Sequence, residues 1–123
     1  MILTLYIETV IDSCHYLRDY SNGPCNRMHG HSWKISIWIR GDEKYKDKVG
    51  ILFDFTNVKK IKDKYDHYEL NAIPPFTEIN PTAENISATI YKDLKATKPE
   101  LDFKIRVYET AVGKETYCEC GDF

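Results

Sequence analysis

The segment from His31 to Arg40 constrains the fold more than any other part of the chain, because its residues alternate between apolar and polar. Side chains of a β-strand point alternately to opposite faces, so this pattern predicts a strand with one face in a core. The apolar face consists of Trp33, Ile35, Ile37 and Ile39, and the other face carries Lys34, Ser36, Trp38 and Arg40. The chain must therefore build a sheet that is covered on one side.

Four other segments are rich in β-branched and aromatic residues, which predicts further strands. They are residues 2–10, Gly50–Asp54, Phe103–Thr110 and about Lys114–Cys120. Two segments have the apolar spacing of three and four residues that is typical of amphipathic helices. The first stripe is Phe55, Val58, Ile61 and Tyr65; the second follows Asn80-Pro81-Thr82 and consists of Ala83, Ile86, Ile90 and Leu94, ending before Pro99.

This order of elements predicts an α+β fold, an antiparallel sheet with two helices packed on one face. With 123 residues, we expect one domain over 1–123. The formal net charge is −2, without the basic excess of a nucleic-acid-binding domain, so we expect no nucleic-acid partner. No apolar run exceeds three residues, whereas a membrane-spanning helix needs about 20, so we expect no membrane partner.

The first residues lack a basic leader and reach the carboxylate of Glu8 early, so we expect no secretory signal and a cytoplasmic location. In that reducing compartment, the four cysteines favour metal binding or catalysis over disulfides. Cys118 and Cys120 lack the spacing of a redox pair, and we interpret them as packing residues.

His29-Gly30-His31 is the most informative short motif. Residues two apart on a strand project to the same face, so both imidazoles can meet one metal ion. His15 follows the first predicted strand, and pairing of that strand with the one that begins at His31 would add a third imidazole. Three protein nitrogens with an open position are typical of a catalytic zinc site.

Cys25 precedes His29 by four residues, and this spacing leaves two roles open. Cys25 could be a fourth ligand that closes a structural zinc site, or a reactive thiol whose thiolate the charge of Arg27 would favour. Asp66-His67 is a second candidate pair, because a carboxylate that orients an imidazole can activate a thiol. The alternative to this catalytic role is that Asp66 lies at a helix end and His67 is a surface residue.

Six segments, taken in order, resemble the 6-pyruvoyl-tetrahydropterin synthase family, and they run from the first strand nearly to the last. They are Ile11-Asp12-Ser13-Cys14-His15, Cys25-Asn26-Arg27-Met28-His29-Gly30-His31, Gly50-Ile51-Leu52-Phe53-Asp54-Phe55, Asp66-His67-Tyr68-Glu69-Leu70-Asn71, Asn80-Pro81-Thr82-Ala83-Glu84-Asn85 and Val107-Tyr108-Glu109-Thr110. Ala83 departs from the family pattern, which often has Ser or Thr there, and this removes one possible hydrogen bond to a pterin.

The resemblance implies a role for each of eight residues. Three imidazoles would hold Zn²⁺, a catalytic thiolate would work with two proton-relay partners, and two residues would contact the pterin ring. In that order they are His15, His29 and His31; Cys25 with Asp66 and His67; and Glu109 with Thr82. A carboxylate such as that of Glu109 can accept paired hydrogen bonds from the 2-amino and ring N–H groups of a pterin.

The implied architecture is the tunnelling fold, in which four-stranded antiparallel sheets assemble into a β-barrel. Three subunits close twelve strands, two trimers stack as a homohexamer, and active sites lie between subunits. The three-residue spacing between Cys25 and His29 is similar to the 6-carboxy-tetrahydropterin synthase branch, which serves queuosine biosynthesis. The implied substrate is 7,8-dihydroneopterin triphosphate, and Arg27, Lys34 and Arg106 are candidates for binding its triphosphate.

The enzymes of that branch are zinc-dependent lyases whose products are 6-carboxy-5,6,7,8-tetrahydropterin, acetaldehyde and triphosphate. The first alternative is 6-pyruvoyl-tetrahydropterin synthase, which only eliminates triphosphate. The second is a non-catalytic, zinc-stabilised binding module with Cys25 as the fourth ligand. A cysteine hydrolase built on Cys25 and His67 would leave the other three histidines without a purpose. No acidic residue lies between Cys25 and His31, which disfavours the family branch that has a glutamate there.

Overall fold

The computed structural model describes all 123 residues. Its four strands form one antiparallel sheet in the order β1-β2-β3-β4, and both helices pack against the same face. The elements in chain order are β1 (Ile2–His15), β2 (His29–Asp42), α1 (Thr56–Tyr65), α2 (Ala83–Thr97), β3 (Asp102–Thr110) and β4 (Thr116–Gly121). The predicted α+β fold, with four antiparallel strands and two helices on one face, is confirmed.

The alternating segment of β2 forms the floor of the core. Its four apolar side chains are at most 1% exposed, and they lie beneath Ile90 and Leu94 of α2. Burial of each such side chain contributes about 1.5–3 kcal/mol, so this single strand face supplies a large part of the stability of the fold.

Helix α2 begins as the sequence predicts. Thr82 is its N-cap residue, and its hydroxyl oxygen accepts a hydrogen bond from the backbone N–H of Asn85 at 3.1 Å. Pro81 precedes this cap. Helix α1 begins at Thr56, so the prediction that Phe55 belongs to its apolar stripe is wrong. Phe55 stands just before the helix and is 43% exposed.

The predicted strand at Gly50–Asp54 is also wrong, because these residues form a turn and an irregular loop. The carboxylate of Asp47 accepts backbone N–H groups from this loop, including that of Ile51, and Gly50 has a φ of 98°. Leu52 and Phe53 are each 3% exposed. They are apolar because they close the core, and no strand pairs with them.

The first two strands are longer than predicted, and they pair along their whole length. Because β1 continues to His15 and β2 begins at His29, these two residues lie directly opposite each other. Neither helix is long and apolar enough to cross a membrane.

Candidate metal centre and active site

Three histidines meet where β1 ends and β2 begins. His15 lies opposite His29 in the strand register, and His31 follows on the same face of β2. Ring centroids are 4.5 Å apart for His15 and His29, and 4.9 Å apart for His29 and His31. One ring nitrogen from each residue lies within 4.8 Å of the others, so this cluster can bind a metal ion.

Main-chain carbonyls determine which nitrogen of each ring faces the cluster. The Nδ1 atom of His15 lies 2.7 Å from the carbonyl oxygen of Pro81, and that of His29 lies 2.7 Å from the carbonyl oxygen of Arg27. A carbonyl only accepts hydrogen bonds, so Nδ1 carries a proton in both rings. Their Nε2 atoms then face each other at 3.0 Å. Two ring nitrogens held this close fit a cation between them.

The Nε2 atom of His31 is buried and has no hydrogen-bond partner in the chain. An unsatisfied buried polar atom costs about 1–3 kcal/mol, and a bound metal would satisfy this one. Burial holds the pKa of His31 below its usual range, and burial together with the neighbouring histidines lowers the pKa of His15 to about 4. Both rings are therefore neutral near pH 7, which is the state that coordinates a metal. Three imidazoles fit Zn²⁺ and leave a coordination position open.

Cys25 does not join this group of ligand atoms. It lies in a single turn of 3₁₀-helix, Pro24–Asn26, and its side chain is half-buried. Its carbonyl oxygen accepts the backbone N–H of Leu17 at 2.9 Å. Of the two roles that the spacing leaves open, this placement favours a thiol outside the metal's ligand set.

Asp66 and His67 contact each other directly. Helix α1 ends at Tyr65, and His67 has a left-handed φ of 62°, so the two side chains are not on a helix and can meet. The Nδ1 atom of His67 lies 2.9 Å from Oδ2 of Asp66. Asp66 also accepts the backbone N–H of Asp12 at 2.8 Å, and this contact, followed by the one to His67, holds the pKa of Asp66 below its usual range. An ionised Asp66 thus fixes the His67 tautomer with Nε2 unprotonated.

Within one chain, Cys25 makes no hydrogen bond to this pair. His67 is anchored to β1 through its backbone N–H, which donates to the carbonyl of Asp12, whereas Cys25 is anchored at Leu17. The imidazole of His67 is 77% exposed, so nothing in its own chain covers it.

The two predicted pterin-binding residues lie beside the histidine cluster. The Oε1 atom of Glu109, on β3, is 3.9 Å from Nε2 of His31, and its side chain is 41% exposed. Thr82 follows Pro81, whose carbonyl oxygen holds His15. Glu109 thus lies within reach of a ligand of the metal, whereas the hydroxyl of Thr82 caps helix α2.

An open cavity of about 560 Å³ has Glu109, Ser32 and Lys34 in its lining, and Glu109 links it to the histidine cluster. Of the triphosphate candidates, Lys34 lines this cavity and pairs with Glu8 at 3.6 Å, and Arg27 adjoins the cluster through its carbonyl contact with His29. Arg106 donates to Glu119 at 2.7 Å and stacks on the ring of Tyr117, so it is already engaged elsewhere.

Two residues near the site have roles that the sequence does not reveal. The side-chain amides of Asn71 and Asn80 pair with the backbone on either side of Leu17. Both residues lie in family-like motifs, but asparagine in a loop is most often a turn or cap residue. Only the folded chain shows which backbone groups they bind.

The sequence profile of the family described as 6-pyruvoyl tetrahydropterin synthase matches residues 4–120. The chain belongs to this family. The 6-carboxy-5,6,7,8-tetrahydropterin synthase of Bacillus subtilis is 34% identical to it over 99 residues, which cover 76% of this chain and 66% of that protein. The putative 6-carboxy-5,6,7,8-tetrahydropterin synthase of Archaeoglobus fulgidus is 30% identical over 117 residues, which cover 92% of this chain and 90% of that protein.

The fold matches solved structures of the same family. The structure of Caenorhabditis elegans 6-pyruvoyl tetrahydropterin synthase aligns with a TM-score of 0.74 at 23% identity, over 98% of this chain and 96% of that one. This member of the family therefore has the single-chain architecture of the tunnelling-fold proteins.

Proposed function

We propose that this family member is a zinc-dependent 6-carboxy-5,6,7,8-tetrahydropterin synthase. It converts 7,8-dihydroneopterin triphosphate and water to 6-carboxy-5,6,7,8-tetrahydropterin, acetaldehyde and triphosphate, a step of queuosine biosynthesis. The observation that carries the proposal is the convergence of the Nε2 atoms of His15 and His29, 3.0 Å apart, beside the unpartnered Nε2 of His31. The names of the B. subtilis and A. fulgidus relatives support this product. The cytoplasmic location stays a prediction.

The histidine cluster supplies the electrophilic part of the site. His15, His29 and His31 would hold Zn²⁺, which would supply a Lewis acid for the oxygens of the substrate side chain. The chain's own contribution is to hold the imidazoles in the required tautomer, through the carbonyls of Pro81 and Arg27. Rings that are fixed before binding lose no orientational freedom when the site is occupied.

The thiol of Cys25 and the Asp66–His67 pair carry out the proton transfers. Cys25, as thiolate, accepts a proton from a carbon of the substrate side chain. His67 keeps its Nδ1–H on Asp66 and offers Nε2 to accept and return protons in later steps. Glu109 binds the amino and ring N–H groups of the pterin, and Thr82 lies near the same ring.

The complete site requires a second copy of the chain. Cys25 and His67 are anchored five residues apart on the Asp12–Leu17 segment, and His67 is exposed. The outer edges of β1 and β4 carry no neighbouring strand, and closure of a barrel removes such edges. We therefore include in the proposal a trimer, or a dimer of trimers, in which one copy supplies Cys25 and another supplies Asp66 and His67.

The test is a product analysis on purified, zinc-loaded protein. We expect 7,8-dihydroneopterin triphosphate to give the 6-carboxy product and acetaldehyde in equal amounts, identified by mass spectrometry. A pyruvoyl product without acetaldehyde would identify the alternative family activity and overturn the proposed product. Absence of turnover in protein with full zinc content would favour a non-catalytic binding module.

A further inference from the structure

We propose that Asn71 and Asn80 are positioning residues for Cys25. Their side-chain amides fix the backbone of Tyr16 and Arg18, and the residue between these two anchors the loop that carries the thiol. The catalytic relevance of this arrangement rests on the role of Cys25 in the proposed function. The hydrogen-bonded anchoring of the loop itself does not depend on the proposed function.

Asn71 pairs with Tyr16 through two hydrogen bonds. Its Oδ1 atom accepts the backbone N–H of Tyr16 at 2.9 Å, and its Nδ2 donates to the backbone carbonyl of Tyr16 at 3.0 Å. The side-chain amide thus acts as a peptide group of a neighbouring strand would. Asn71 is 5% exposed, so water does not compete for these contacts.

Asn80 repeats this contact two residues further along. Its Oδ1 atom accepts the N–H of Arg18 at 2.8 Å, and its Nδ2 donates to the carbonyl of Arg18 at 2.9 Å. The two asparagines come from different segments, one after His67 and the other before Pro81. The stretch from Tyr16 to Arg18 is therefore held on both sides, beyond the end of β1.

Leu17 connects this fixed segment to the loop that contains Cys25, because its backbone N–H donates to the carbonyl of Cys25 at 2.9 Å. The other side of the loop is tied to the histidine cluster. Arg27 donates its N–H to the carbonyl of Pro24, and its own carbonyl accepts the Nδ1–H of His29. The flanking residues Ser21–Pro24 and Asn26–Met28 are exposed. Cys25 therefore owes its position to these two attachments, one of which depends on the asparagines.

A carboxylate in place of each amide separates this role from general packing. Asn71→Asp and Asn80→Asp keep the shape and the acceptor, but they lose the donor and place negative charge beside a carbonyl oxygen. Asn57→Asp is the matched control, because Asn57 lies in the first turn of α1 and its side-chain amide makes no hydrogen bond in the chain.

Hydrogen exchange measured by mass spectrometry is the first readout, and it needs no turnover. In Asn80→Asp and Asn71→Asp we expect exchange in residues 16–26 to become at least fivefold faster, with exchange in β2 and β3 unchanged. Alkylation of Cys25 by iodoacetamide, resolved by peptide, should accelerate in parallel. Asn57→Asp should leave both rates as in the unsubstituted protein. Asn80 is only half-buried, so its variant carries the test if Asn71→Asp fails to fold.

Turnover is the second readout. Displacement of a reacting group by about 1 Å can lower a rate about a hundredfold, so we expect kcat to fall at least tenfold with KM and zinc content nearly unchanged. Unchanged exchange and alkylation in both variants would overturn the proposal, as would acceleration throughout the chain. Altered exchange with unaltered kcat would overturn the catalytic part. If the unsubstituted protein shows no turnover, the proposed function fails while the exchange result still decides the anchoring.

Discussion

The Nε2 atoms of His15 and His29 lie 3.0 Å apart, and each ring is held by a different main-chain carbonyl. This relationship follows from the strand register, which places the two residues opposite each other at the end of the sheet. The site is therefore organised by the fold before any metal binds, and occupancy by a cation should stabilise the folded state.

Zinc should raise the melting temperature of metal-depleted protein by several degrees, because a ligand at 100 times its Kd adds about 2.7 kcal/mol. His29→Ala should abolish this increase, since it removes one of three ligands. His67→Ala is the matched control, because His67 lies outside the cluster and its variant should keep the full shift. Thermal unfolding with and without zinc measures this. An equal zinc shift in His29→Ala would contradict the assignment of the site.

Asp66→Asn should lower kcat by about 10²–10⁴ while zinc content stays unchanged. An asparagine can still accept the N–H of Asp12, but it no longer holds the His67 tautomer by an ionised acceptor. Steady-state kinetics and metal analysis on the same preparation provide the check. Retention of more than half of wild-type kcat would exclude this pair from proton transfer.

Co-expression of Cys25→Ala and His67→Ala chains should restore activity that neither variant has alone. In a random mixture, about a quarter of the sites between subunits receive Cys25 from one copy and His67 from the other. The assay compares the mixed oligomers with each variant expressed separately. If the mixture stays as inactive as its components, the thiol and the imidazole belong to one chain and the shared site is wrong.

Asp122 should stabilise the protein in a pH-dependent way. Burial of its carboxyl opposes ionisation, but hydrogen bonds from Tyr91, the backbone N–H of Phe103 and Lys95 outweigh it and hold the pKa below its usual range. A depressed carboxyl pKa contributes stability above the unfolded value of about 3.9, and this contribution is lost as the pH falls through the folded pKa.

Asp122→Asn should therefore lower the melting temperature at pH 7 by several degrees. The difference from wild type should narrow below pH 4, where the carboxyl of the wild type becomes protonated. Asp63→Asn is the control, because Asp63 forms a surface pair with Lys59 and should matter little at either pH. A constant difference across this pH range would contradict the assigned cause.

Much of the site can be predicted from the sequence, because side chains on a strand alternate between two faces and the spacing of residues therefore determines which of them share a face. His29 and His31 share a face by their separation, and a pairing of the first two strands suffices to add His15. Glu109 enters only through the family resemblance, and the structure places its Oε1 atom 3.9 Å from Nε2 of His31. Residues on regular strands are predictable since each occupies one of only two faces.

Residues in loops are not predictable in this way. Leu52 and Phe53 look like a strand because apolar residues that close a core have the same composition as a short strand. The Asp66–His67 contact depends on where α1 ends and on the left-handed backbone of His67. The pairing of Asn71 with Tyr16 joins positions 55 residues apart, and no local pattern indicates such a partner.

Zinc content measured together with turnover in Cys25→Ala tests the central claim most directly, that three histidines alone hold the metal while the thiol does chemistry. We expect about one zinc per chain, as in the unsubstituted protein, with turnover of 7,8-dihydroneopterin triphosphate lost. Loss of zinc together with the fold would contradict the account, because it would make Cys25 a fourth ligand of a structural site.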